Sequence, residues 1–205
     1  MMKSKLVGFL GLWLFLTSFR NNLDEKLLAY SYIDRFAPLA IDEMHRVGIP
    51  ASIKLAQAML ESNLGRSTLA TKSNNHFGIK CKSYWTGMQY YHKDDDFDTK
   101  GKLIESCFRA YEDIESSFKD HSDFLRNSGK YDVLFGFDAI DYKAWAHGLK
   151  SCGYATDKTY ALKLIRTIED FQLYRYDTFS ASDFDTPPVI TNLISKSTYK
   201  ESTVD

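Results

Sequence analysis

Residues 49–67, IPASIKLAQAMLESNLGRS, constrain the fold more than any other segment. Pro50 suits a first helical turn, where its missing N–H is no loss, and Gly65 suits the position just past a helix end. Between them Ile53, Leu55, Ala56, Met59 and Leu60 give a broad apolar face, so the helix belongs in a core with other elements packed around it. Glu61 then stands in the last turn of a buried helix. The partial negative charge of that terminus and the apolar neighbours both favour its protonated form. A carboxylic acid that keeps its proton near neutral pH is what general-acid cleavage of a glycosidic bond requires. Alone the signal is weak, because a glutamate near a helix end is more often a solvated surface residue.

Around this helix the chain divides by pattern. From Asp24 to Val47, Leu27, Leu28, Ile33, Phe36, Leu39, Ile41 and Met44 recur at three- and four-residue spacings, which predicts helix, with Pro38 dividing or kinking it. A short polar helix is expected around Thr68 to Lys72. The character changes at Asn75. Up to Tyr111 there are Gly78, Gly87 and Gly101, alternating positions in Met88 to His92 and Leu103 to Phe108, and an acidic turn from Asp94 to Asp98. These predict a small antiparallel sheet. Helical periodicity returns at Ile114 to Leu125, Ile140 to Leu149 and Tyr160 to Leu173, with Gly153 ending the second helix and Asp157 capping the third. The expected domain, 24–177, is α+β: mostly helical with a small antiparallel β-lobe, and a cleft between the lobes. Residues 178–205, rich in Ser and Thr and carrying Pro187 and Pro188, read as a flexible tail.

A length of 205 residues, 44% of them hydrophobic, fits one globular domain with a substantial core. A net charge of -1 argues against a nucleic-acid partner. Lys3 and Lys5 precede an uncharged apolar run from Leu6 to Leu16 that continues to Arg20, the form of a secretory signal and short for a membrane span. No Ala-x-Ala site follows, so residues 1–20 are either a cleaved signal or a retained membrane anchor. Either way the chain is expected outside the cytoplasm, in the periplasm, the cell envelope or the medium. In such a compartment Cys81 and Cys107, which flank the strand-rich region, are candidates for a disulfide, leaving Cys152 free.

The histidines form no HExxH and lie scattered, so no metal site is expected, and no Ser or Cys lies in a nucleophile-elbow sequence. Asp96, Asp98 and Gly101 fall at EF-hand-like spacing, but Lys100 occupies a ligand position and Cys107 the place of the bidentate glutamate, which argues against calcium. Among the many aromatics, Trp145 and Tyr160 sit at helical positions typical of core. Trp85 and Tyr90, in the Gly-rich lobe, are candidates for stacking on a sugar.

Four segments follow one another in order: LAQAMLESNLGRS, KSNNHFGIK, CFRAYEDIESSFKDHSDFL and WAHGLKSCGYATDKTYALKLI. This series resembles the bacterial endo-β-N-acetylglucosaminidases of glycoside hydrolase family 73, over roughly Tyr32 to Tyr174. The resemblance implies a lysozyme-like fold and an exported, monomeric, cofactor-free hydrolase of peptidoglycan glycan strands. Its expected reaction is hydrolysis of the β-1,4 bond between N-acetylglucosamine and N-acetylmuramic acid. A lytic transglycosylase or muramidase on the same polymer, and a glycan-binding module without chemistry, are the alternatives.

By the same resemblance Glu61 matches the catalytic acid. Asn75, Phe77 and Gly78 match an NLFG signature, with His76 in place of its Leu, and are candidates for the cleft floor or for a purely structural turn. Tyr154, in GYATD, matches a tyrosine lining the active site, whose hydroxyl would bond the sugar or orient Glu61 or a water. Family members carry a β-lobe glutamate in a TEY-like segment before the FRAY segment. This chain has none there. Counting back from Phe108 reaches Asp95 and Asp96 within KDDDFD, which become the candidates for the second carboxylate; the spacing disfavours Glu105, and a solvated hairpin turn is the alternative. Inversion by activated water, a covalent intermediate, and attack by the substrate's own acetamido group all remain open.

Overall fold

The computed structural model describes residues 6–97 and 99–179, with side chains from residue 23 onward except those of Asp95 and Asp96. Most of the expected tail, 180–205, and residues 1–5 lie outside the described residues. Among the described residues there are six helices, α1 Leu6–Val47, α2 Ala51–Glu61, α3 Thr68–Ser73, α4 Ile114–Asn127, α5 Tyr142–Ser151 and α6 Tyr160–Asp170, and a two-stranded sheet, β1 Gln89–Phe97 and β2 Leu103–Arg109. Two 3-10 helices, Gly129–Gly136 and Leu173–Thr178, complete the chain order and have no counterpart in the sequence expectations. Among the described residues no helix is long and apolar enough to cross a membrane.

α1 continues through Pro38, so the helix is not divided there. Pro38 forfeits the bond that its N–H would give to residue 34. On either side of it Ile33, Phe36, Ala37, Ala40 and Ile41 are all buried in one core, and that packing outweighs one lost hydrogen bond. Gly48, at φ +85, ends the helix by returning its N–H to Met44 O at 2.8 Å, a left-handed cap that glycine adopts without strain.

α2 is the central element. Ala51 to Met59 are all buried, including Ser52, Lys54 and Gln57, which the apolar pattern alone does not place inside. Pro50 precedes the first helical residue with φ -51 and ψ 135, one position earlier than expected, so its extended backbone leads the chain in. At the far end Asn63, Leu64 and Gly65 all have positive φ (51, 56 and 76), a left-handed turn that swings the chain away just after Glu61. Leu64 in that conformation costs about 1–2 kcal/mol. The turn is held by Leu64 N to Met59 O at 2.9 Å and Gly65 N to Ser62 Oγ at 2.7 Å.

The sheet is antiparallel, with Tyr90 opposite Phe108 and Lys93 opposite Glu105. Phe97 then pairs with Leu103, so residues 94–96 face the single residue 104 in a bulge. The start of the acidic run therefore lies in the strand and not in the expected turn, because pairing extends to Phe97 and the reversal comes at Gly101, φ +75. On its other side β2 meets residues 79–81 through the Lys80–Phe108 bridge, and Cys81 is disulfide-bonded to Cys107 while Cys152 is free. α6 also differs in its start. Thr159 takes the cap position, and Asp157 instead accepts from Thr159 N and Oγ1, both at 2.8 Å.

The C-terminal 3-10 helix pins α2 at its N-terminus: the buried Asp177 carboxylate accepts from Ser52 N and from Ser52 Oγ, both at 2.7 Å. Burial pushes the Asp177 pKa up to about 6, while the Ser52 bonds act in the opposite sense. Asp177→Ala is expected to lower the unfolding free energy by about 1–3 kcal/mol, because it strands two Ser52 donors in a dry site. Urea denaturation measures this, and an unchanged midpoint would rule the contact out as a support of α2.

Candidate active site

Glu61, the last residue of α2, opens into a cleft of about 660 Å³ lined from both lobes. Phe77 to Lys80 form one part of the lining, Asp94 and Phe108 of the sheet another, and Phe124, Tyr131 and Tyr154 close it from the helical side. A second cavity, of about 610 Å³, shares Lys82, Phe124 and Tyr131 with the first, so the depression continues past Arg109 and Asp120. Arg109 there is buried and held by Asp120 at 2.7 Å.

The Glu61 carboxyl is anchored from behind. Tyr160, on the first turn of α6, donates its hydroxyl to Glu61 Oε1 at 2.9 Å, and Gln57 Nε2, one turn back on α2, donates to the same hydroxyl oxygen at 3.2 Å. The Tyr160 proton is thus directed at Oε1, which leaves Oε2 without that bond. Burial raises the Glu61 pKa, partly offset by the Tyr160 hydrogen bond and the charge of Lys163. Desolvation is therefore the dominant cause, in line with the apolar surroundings read from the sequence.

Beneath the cleft lies a second polar chain. Tyr154 Oη is 2.9 Å from His121 Nε2, and His121 Nδ1 is 2.8 Å from Lys54 Nζ, which also donates to Phe118 O at 3.2 Å. Phe77 stacks on the His121 ring, 4.0 Å between centroids at 9°, and Lys54 Nζ lies 5.0 Å from the Phe77 centroid. Lys54 and His121 are fully buried. Burial brings the Lys54 pKa down to about 7 and, with the Lys54 charge, holds His121 well below its ordinary value, so the imidazole is neutral. Tyr154 stacks on Tyr160 at 5.5 Å and 23°, which joins the two chains.

The sequence candidates separate when placed on this geometry. Glu61, Phe77, Gly78 and Tyr154 line the same cleft. Tyr154 bonds His121, whereas the tyrosine that reaches Glu61 is Tyr160, buried as its spacing predicts. Asn75 does not face the cleft. Its Nδ2 donates to Ile79 O and Arg109 O, and its Oδ1 accepts from Phe77 N and Ile79 N, so both ends of the amide hold the turn and none is left for a sugar. His76, in the place of the family's Leu, is buried, kept neutral with its pKa down to about 4 by burial, and its Nδ1 lies 2.7 Å from Tyr32 Oη.

Trp85 and Tyr90 are also not among the lining residues. The Trp85 indole N–H donates to Met88 O and Arg109 covers its face at 4.5 Å, while Tyr90 stands opposite Phe108 in the strand register with its ring 6.3 Å from that of His92. Asp95 and Asp96 lie in β1, with side chains outside the described residues. The carboxylate seen to share the cleft with Glu61 is Asp94, whose Oδ2 is 3.3 Å from Lys80 Nζ. Strand alternation could have found it, since Tyr90, His92 and Asp94 fall on the Phe108 face. Among the described residues no group of three or more His, Cys, Asp or Glu side chains could hold a metal ion.

This arrangement sits in a chain with clear relatives. Residues 37–173 match the glucosaminidase family model, described as mannosyl-glycoprotein endo-beta-N-acetylglucosaminidase. Exo-glucosaminidase LytG of Bacillus subtilis is 34% identical over 168 residues, 79% of this chain and 57% of that protein. Peptidoglycan hydrolase FlgJ of Vibrio cholerae is 30% identical over 173 residues, 76% of this chain and 50% of that one. The chain thus spans about half the length of the curated relatives it matches. Among solved structures, the catalytic domain of the autolysin Auto from Listeria monocytogenes aligns with a TM-score of 0.64 at 28% identity, covering 77% of this chain and 96% of that one. A peptidoglycan hydrolase from Sphingomonas sp. A1 aligns at 0.61 with 34% identity, covering 74% and 97%. With a family match that runs from α1 to the start of the last 3-10 helix, and with the α+β lysozyme-like fold of these neighbours, the chain belongs to the glucosaminidase family.

Proposed function

We propose that this protein hydrolyses peptidoglycan glycan strands at the β-1,4 bond between the anomeric carbon of N-acetylglucosamine and N-acetylmuramic acid. The observation that carries this reading is Glu61 itself: a half-buried carboxyl at a helix end in a cleft, its pKa raised by desolvation and its Oε1 occupied by Tyr160. The relatives' names, exo-glucosaminidase and peptidoglycan hydrolase, supply the substrate class. The run of the depression past Arg109 favours a strand lying through the site over a chain end alone, and hence an endo mode.

Glu61 Oε2 gives its proton to the leaving glycosidic oxygen as positive charge develops at the anomeric carbon. Asp94, beside Lys80 on the sheet, takes the part of the second carboxylate, stabilising that charge or activating water; Asp95 and Asp96 follow it in the strand. Tyr154, stacked on Tyr160, contacts the sugar held against Glu61. Phe77 and Gly78 form the floor. The leader read from the sequence would deliver the protein to its polymer in the envelope, where it acts as a monomer without a cofactor.

Digestion of purified peptidoglycan followed by mass spectrometry is expected to give products with N-acetylglucosamine at the new reducing end, lost in Glu61→Gln by about 10²–10⁴-fold. Reducing-end N-acetylmuramic acid or an anhydro-muramic product would replace this assignment with a muramidase or a transglycosylase. Asp94→Asn, Asp95→Asn and Asp96→Asn sort the strand carboxylates: Asp94→Asn should lower kcat by about tenfold or more, and the other two by less than about twofold. A larger loss at Asp95 or Asp96 would move the role along the strand. Tyr160→Phe removes a hydrogen bond that favours the ionised carboxylate, so the Glu61 pKa rises further and the alkaline limb of the pH profile of kcat/KM moves to higher pH. A shift to lower pH would disprove the Tyr160–Glu61 contact.

A further inference from the structure

Lys54 is an unexpected residue for the middle of a buried helix. Taking an ammonium out of water is costly unless each of its N–H bonds finds a partner, and a methionine would fill the same volume without that demand. Its surroundings are specific. Nζ faces Phe118 O at 3.2 Å, His121 Nδ1 at 2.8 Å and the Phe77 ring at 5.0 Å, two acceptors and one π face for three N–H bonds.

Hydrogen-bond direction then propagates along the chain. Below a pH of about 7 Lys54 is an ammonium and can only donate, so Nδ1 of the neutral His121 must accept, and the imidazole hydrogen is placed on Nε2. Nε2–H points at Tyr154 Oη, 2.9 Å away. The tyrosine oxygen is therefore the acceptor in that bond, and its own hydrogen is left to point elsewhere. Tyr154 is a cleft-lining residue with its ring flat against Tyr160.

We infer that Lys54 and His121 are positioning residues that fix the Tyr154 hydroxyl as a hydrogen-bond donor to an acceptor oxygen of the bound N-acetylhexosamine. This rests on the reading above that Tyr154 contacts the sugar. Without the lysine, His121 is free to carry its hydrogen on Nδ1, and Nε2 would then take the Tyr154 hydrogen away from the cleft. The role is carried entirely through Tyr154; neither Lys54 nor His121 touches substrate.

Two measurements on the full chain test this. Nitrogen NMR of the His121 ring in the free wild-type protein, at mildly acidic pH, should show a neutral imidazole with its hydrogen on Nε2; a hydrogen on Nδ1 overturns the inference while leaving Tyr154 at the sugar. The second is a double-mutant cycle on peptidoglycan hydrolysis with Lys54→Met and Tyr154→Phe. Tyr154→Phe should lower kcat/KM by about tenfold, the worth of one hydrogen bond, and Lys54→Met by a similar factor in the wild-type background but by less than about twofold when residue 154 is already Phe. Equal losses in both backgrounds mean that Lys54 only supports the fold, and they overturn the inference. Unchanged kcat/KM in Tyr154→Phe instead removes Tyr154 from the sugar, a failure of the underlying reading that the NMR result does not share. Because the NMR experiment uses the wild type, poor folding of Lys54→Met does not shield the inference.

Discussion

The burial of α2 is the constraint on which the site depends. A helix enclosed from Ala51 to Met59 has no water for its polar side chains, so each must find a partner in the protein. Ser52 finds Asp177, Lys54 finds His121 and Phe118 O, and Gln57 finds Tyr160. Gln57 Oε1 is the exception, buried with no partner. Lys54, Gln57 and Glu61 fall at i, i+3 and i+7, one stripe of the helix, of which Glu61 reaches the cleft and the other two are buried behind it. What a core helix must do to hide polar groups is here the same as what an active site must do to orient them.

Two tyrosines carry that orientation into the cleft, and their hydroxyls point oppositely. Tyr160 accepts from Gln57 and donates to Glu61, which ties one carboxyl oxygen and leaves the other free of that bond. Tyr154 accepts from His121 and presents its hydrogen outward. Their stacked rings mean that displacing one ring disturbs the other. Desolvation raises the Glu61 pKa against the opposing Tyr160 hydrogen bond and Lys163 charge, and Arg109, further along the depression, is engaged by Asp120. A mobile guanidinium beside Glu61 would have lowered its pKa.

Helical parts of this architecture were legible because their signals are local. The period of α4, the Pro50 to Gly65 frame of α2 and the burial of Tyr160 follow from spacing along one segment. Partnerships between segments were not. Nothing in the spacing of Lys54 says that His121 waits for it across 67 positions of chain, and His121 read as one of several scattered histidines. Pro38 shows the converse, a strong local signal for a break that long-range packing overrides. Asn75 was open between the cleft floor and a structural turn, because family motifs mark which residues matter without saying whether they touch the ligand or hold the residues that do; its four hydrogen bonds hold the turn.

The second carboxylate is the hardest part of the site to read, for a reason that belongs to β-structure. A helix places Glu61 by its own hydrogen bonds, so fifteen residues of sequence suffice. A strand places an aspartate only through its register with a partner, and a shift of one residue turns every side chain to the opposite face. In KDDDFD three successive aspartates differ only in that register, and counting from Phe108 along the sequence cannot see the bulge between Lys93 and Phe97. The ladder puts Asp94 on the face of Tyr90 and Phe108, toward the cleft. Its neighbours in the bulge sit where pairing is locally relaxed. The candidate proton donor thus stands at the end of a buried helix, while the candidates for its partner differ only in the register of two strands.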